Sequence, residues 1–171
     1  KANKGAGWTD DIDKFNMSAG YDLNGNLESL TRNGMNGTMD QLTYTYTGNQ
    51  LQTVEDLITE AEGFIDAHAG TLANPDFIYD QNGNMTVDKD KGLDSIAYNH
   101  LNKPQHMRRT DGSYLNFIYD ANGIKLAQEL YSDSDILKKR TDYIDEFIYE
   151  NDTLKLIRHE EGRLVPDITG A

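Results

Sequence analysis

The chain has 171 residues, a formal net charge of −13 and a hydrophobic content of 37%. That length suits one domain with a core of its own, and the charge excludes a basic face for nucleic-acid phosphates and disfavours an anionic membrane surface. No run of 18 apolar residues is present to span a bilayer, and the lack of cysteine excludes disulfides, thiolate catalysis and cysteine–zinc sites.

In chain order, the start at Lys1, with neither methionine nor signal peptide, reads as an excised piece of a longer protein. "GAGW" (5–8) holds a G-x-G fragment without the strand, helix or further glycine that a nucleotide loop needs. "YDLNGNL" (21–27), "YDQNGNM" (79–85) and "YDANGIK" (119–125) are three copies of one phrase. "YTGNQL" (46–51) and "YENDTL" (149–154) are looser relatives, and "YNHLNKP" (98–104) is an incomplete one. Tyr79, Tyr98 and Tyr119 define a unit of about twenty residues, enough for two short strands and their turns. "LTYTY" (42–46), "FIY" (77–79), "NFIY" (116–119) and "EFIY" (146–149) are rich in β-branched and aromatic residues and lead into the turns, as hairpin strands do. Two stretches break the rhythm. The first, at about 52–76, reads as a long inserted loop, with "VEDLITEAEGF" (54–64) as the one run able to form two turns of helix. The second, "SDSDILKKRTD" (132–142), reads as a shorter insertion.

The repeated phrase resembles a calcium loop only superficially. An EF-hand places glycine sixth and a bidentate glutamate twelfth. Counting from Asp80, glycine falls fourth and Lys91 stands twelfth; the copies starting at Asp22 and Asp120 fail in the same way. The residues instead fit a type I turn with Asp first, Asn third and a left-handed Gly fourth, followed by a bulge. That geometry predicts Tyr21 opposite Leu27 and Tyr79 opposite Met85. Two-residue turns at 48–49 and 151–152 predict Tyr46 opposite Leu51 and Tyr149 opposite Leu154. Tyr119 faces Lys125 or Leu126, depending on the turn. Aromatic–aliphatic pairs of this kind make the tyrosines core stitching before they make a ligand platform.

No residue is assigned a catalytic, cofactor-binding or metal role. His68, His100, His106 and His159 lack zinc-ligand spacing, and "HEE" at 159–161 reads as a solvated hairpin end. Asp88, Asp90 and Asp94 form an acidic cluster with two readings: a hairpin end partly neutralised by Lys89 and Lys91, or a weak calcium site.

The phrase Y-D-x-x-G-N-L, repeated at about twenty residues, resembles the YD repeat of the RHS family. "YDLNGNLESLTRNG" (21–34) matches its fuller form. "DQLTYTYTGNQLQTVED" (40–56), "FIYDQNGNMTVDKDKGLDSIAYNHLNKP" (77–104) and "YIDEFIYENDTLKLIRHEEGRL" (143–164) are similar to the large RHS proteins of Bacteroidetes-type bacteria. The resemblance covers nearly the whole chain. It implies an all-β fold, a curved antiparallel sheet of successive β-hairpins that forms a segment of a larger spiral β-shell. It also implies a secreted or cell-surface, sometimes wall-associated protein, whose partner is the remainder of the parent chain with an enclosed C-terminal toxin. The D-H-L-G-N-x-R core and self-cleaving segment of the toxin-bearing members are absent here, so no catalytic residue carries over and the expected role is non-enzymatic. The alternative is an adhesion module that binds glycan or a neighbouring cell through exposed tyrosines and the 52–76 loop. Neither reading calls for a cofactor, nucleic acid or membrane insertion.

Overall fold

A computed structural model describes residues 14–166; the "GAGW" segment and the last five residues of "HEEGRLVPDITGA" lie outside that range. The described residues form fourteen strands and no helix. The strands are β1 (Met17–Tyr21), β2 (Leu27–Gly34), β3 (Gly37–Thr47), β4 (Gln50–Asp56), β5 (Phe77–Tyr79), β6 (Met85–Asp88) and β7 (Leu93–Tyr98). They continue as β8 (Pro104–Arg109), β9 (Tyr114–Tyr119), β10 (Lys125–Tyr131), β11 (Leu137–Ile144), β12 (Phe147–Glu150), β13 (Thr153–His159) and β14 (Gly162–Leu164). The fold is all-β, built from successive antiparallel hairpins that do not close into a barrel.

Two compact units divide the chain after Lys91. In the first, β1 to β4 form a sheet in sequence order and β5 pairs with β6. Its core is Leu42, Val54 and Phe77, with Leu30, Tyr44, Leu51, Phe64, Tyr79 and Met85 packed around them. In the second unit, β7 to β13 each pair with the next strand in the chain, ending at β14. Among the described residues its buried apolar side chains are few: Ile96, Ala127 and Ile148. Cross-strand pairs therefore carry much of its cohesion.

Five hairpins are closed by one and the same turn. The first residue donates its backbone N–H to the carbonyl of the fifth: Asp22 to Asn26, Asp80 to Asn84, Asn99 to Lys103, Asp120 to Ile124 and Ser132 to Ile136. The fourth residue donates back to the carbonyl of the first at 3.0–3.2 Å. A side-chain oxygen of the first residue accepts the N–H groups of the third and fifth in every case. The fourth position needs positive φ, supplied by Gly25, Gly83 and Gly123, and by Asn102 and Asp135 elsewhere.

The predicted registers are present. Tyr21 pairs with Leu27, Tyr46 with Leu51, Tyr79 with Met85 and Tyr149 with Leu154, while Tyr119 takes the Lys125 alternative. The stretch at 132–142 is no insertion. Ser132 stands in for Asp and Asp135 for Gly, so Tyr131 pairs with Leu137 as in any other repeat. The expected core role holds for Tyr79 and fails for Tyr21. Tyr79 packs on the core, whereas Tyr21 stays 63% exposed. Tyr46 and Tyr119 donate their hydroxyls to the carbonyls of Leu27 and Pro104, at the end of an earlier turn.

Candidate functional site

The departure from this regularity is the loop between β4 and β5. Gln52–Asp56 belong to β4, so the loop proper runs from 57 to 76. The expected helical turns within 54–64 do not form. Val54–Asp56 pair with β3 instead, and the amides that a helix would need bond to side-chain carboxylates. Asp56 Oδ1 accepts the Ile58 N–H at 3.0 Å, and Asp40 Oδ1 accepts that of Phe64 at 2.5 Å.

Carboxylates hold the loop at several points, beside the backbone bonds from Leu57 to Gln41 and from Asp76 to Gln52 at its two ends. Asp40, fully buried on β3, also accepts from Arg32 Nε at 2.6 Å. Glu55 Oε1 accepts the Gly70 N–H at 2.7 Å, and Asp66 Oδ2 accepts that of Asp56 at 3.0 Å. Asp90 Oδ1 accepts the His68 N–H at 3.2 Å. Asp76, also fully buried, accepts the Val54 N–H through Oδ2 at 3.0 Å and faces His68 Nδ1 through Oδ1 at 2.6 Å. Asn74 Nδ2 lies 3.2 Å from His68 Nε2. The amide is a donor there, so the neutral ring keeps its proton on Nδ1 and donates it to Asp76.

Two glycines make room for this arrangement. A Cβ on Gly63 would lie 2.6 Å from Asp40 Oδ1, and one on Gly70 would collide with the Asp76 carboxylate. The backbone must come this close for its N–H groups to reach buried acceptors.

Burial sets the electrostatics. Desolvation first, then the charges of Asp76 and Asp66, push the Asp90 carboxyl up to about 6, against the lowering effect of the His68 and Ala67 amides. Glu55 is also raised, chiefly by desolvation. One oxygen each of Asp56, Asp66 and Asp90 is buried with no hydrogen-bond partner. The groove between the end of β4 and the loop has a volume of about 380 Å³ and is lined by Asp56, Ile58, Phe64, Ile65 and Asp66 among others.

Asp88, Asp90 and Asp94 do not act as one cluster. Asp88 is buried and accepts from the backbone N–H and Nζ of Lys91, Asp90 holds the loop, and Asp94 is exposed on β7. Among the described residues, no group of three or more His, Asp or Glu is arranged to hold a metal ion. His159 sits at the exposed β13–β14 turn, as its sequence suggested, and His100 is exposed next to the Asn99 turn. His106 belongs to an aromatic patch in the second unit. Its ring lies 5.1 Å from that of Tyr114, which stacks on Tyr131 at 4.8 Å.

Compared with known proteins, the chain matches no family model and no curated sequence. The site therefore rests on its own geometry. Sequence reading missed Asp40, Glu55, Asp66, His68 and Asp76. The available signal was a glycine beside each anchor point, in "EGF" (62–64) and "HAG" (68–70), with an acid opening β5 in "PDF" (75–77).

Proposed function

We propose that the chain is a non-enzymatic structural segment of a secreted or cell-surface RHS-repeat protein, one stretch of a β-shell that encapsulates or displays a C-terminal effector. The supporting observation is the turn repeated five times with one hydrogen-bond pattern, each copy setting a tyrosine opposite the first residue of the next strand. Such a device serves to add hairpins at constant register, which is what a wall requires. Electron microscopy of the parent protein with its flanking sequence tests it: the segment is expected within a continuous wall of hairpins around an enclosed chain. A parent in which these strands form a free-standing domain, with no wall, would overturn it.

The binding alternative draws on the half-buried Tyr114–Tyr131 pair and His106, which present aromatic surface beside polar groups. The two hydroxyls are already committed to Asp135 and Glu129, and each ring spends one face on the other. A glycan array probed with the isolated chain tests this reading, and signal no higher than background removes it.

A further inference from the structure

We propose that the 57–76 loop is a proton-operated clasp: protonation of Asp90 draws the loop onto the sheet of the first unit, and ionisation of Asp90 loosens it. The geometry carries this inference. Asp90 reaches from the end of the β5–β6 hairpin and holds the centre of the loop by its bond to the His68 amide. His68 in turn binds Asp76, which is tied to β4 through Val54. Asp90 thus joins the hairpin to the middle of the loop, while the end of the loop is tied separately through Asp76, whose carbonyl accepts the Lys89 N–H and whose N–H is donated to the Gln52 carbonyl.

The other Asp90 oxygen is buried and has no donor, as is one oxygen of Asp66. An acceptor oxygen shut away from water without a hydrogen bond destabilises the closed loop while it carries charge. A proton from solvent placed on Asp90 Oδ2 removes that charge and leaves Oδ1 free to keep the His68 bond.

The groups facing Asp90 are Asp66, His68 and Asp76 from the loop, and Glu55 joins them from β4 through its own coupling to Asp66, Asp76 and His68. On its own hairpin, Asp88 is paired with Lys91, and Lys89 reaches Asn74 at 2.6 Å. Acids therefore outnumber the bases that face Asp90, and neutral pH leaves like charges crowded around it.

The sign follows from linkage. A carboxyl whose closed-state pKa of about 6 exceeds its ordinary 3.8 binds a proton more tightly in the closed state, so closure is favoured as pH falls through that window and weakened above it. Lowering the pH from 7.5 to 5.0 should favour closure about three- to tenfold; the upper figure is the full linkage and the lower allows for solvent screening.

Amide hydrogen exchange on the intact chain, corrected for the intrinsic effect of pH, reads this directly. Protection of the Phe64, His68 and Gly70 amides should rise by that factor, while the Gly25 and Gly83 amides in the regular turns stay constant. Asp90→Asn keeps an acceptor for His68 without charge, so it should hold the acid-level protection at pH 7.5 and flatten the profile. A flat wild-type profile overturns the proposal. So does a pH dependence that survives in Asp90→Asn, which would assign it to another titratable group of the loop. The carboxyl-carbon shift of wild-type Asp90 adds a check without any variant: a midpoint near 6 together with the pH-dependent protection supports the clasp, and one near 4 sinks it.

Discussion

The three turns headed by Asp22, Asp80 and Asp120 and the 57–76 loop are held by the same bond, a backbone N–H donated to a carboxylate, in different surroundings. In the turns the acid sits half-exposed at the edge of a hairpin and its donors are two and four residues away. Asp80 is held below the ordinary carboxylate range, first by the Asn84 side-chain amide and then by backbone amides, and Asp22 is lowered in the same way by Asn26. In the loop most donors come from distant parts of the chain, Asp40 and Asp76 are fully buried, and the half-buried Asp90 and Glu55 beside other acids move upward. Hydrogen bonding to the charged form dominates in one place, and desolvation with like-charge crowding dominates in the other. The same acceptor chemistry thus yields a turn that closes by default and a loop whose closure depends on its protons.

The sharpest way to break that contrast is at a buried anchor. Asp76→Ala should destabilise the first unit by about 3 kcal/mol, since it leaves the Val54 N–H buried without an acceptor and His68 without its partner. Urea unfolding measures it, and a loss below about 1 kcal/mol would mean the loop is held by something else.

Tyr79→Ala comes next. A fully buried aromatic truncation costs about 3–5 kcal/mol, but Tyr79 is only half-buried against the core, so about 2 kcal/mol is expected. No change in the urea midpoint would contradict a stitching role for this ring. Tyr119→Phe removes only the hydroxyl bond to the Pro104 carbonyl and should cost about 1 kcal/mol, read from thermal unfolding. An unchanged melting temperature would show that this link between hairpins adds no stability.

The smallest effect is expected at a turn acid, and its pH dependence is more telling than its size. The folded-state pKa of Asp80 is lowered, so its contribution is complete above the ordinary value of 3.8 and disappears as pH falls through the lower folded value. Wild type and Asp80→Ala should therefore differ at pH 7 and converge in acid, the reverse of the trend at Asp90. A difference that grows on acidification would remove the contrast between the two regions.

Much of the first region was legible in the sequence. Asp, Asn and Gly at fixed offsets have local consequences: the Asp side chain reaches amides two and four residues on, and Gly accepts positive φ. Turn and register follow from those alone, which is why Tyr21–Leu27 and Tyr79–Met85 could be paired in advance. The degenerate turn at 132–136 was hidden because Ser and Asp fill the same roles with different letters. The loop was not legible for another reason. Whether Asp40 meets Phe64, or Asp76 meets Val54, depends on contacts 24 and 22 residues apart in sequence. Composition records the acids there as surface charge, and only the folded backbone reveals that several are interior.

The strand order of the second unit has a further consequence. From β8 to β14 every strand bonds to its immediate predecessor, so each hairpin finds its partner already made by the residues just before it. Contacts so close in sequence need little loop closure, which favours fast folding and growth from one end. The ladder can be laid down in the order the ribosome releases it, with the newest strand as the template for the next.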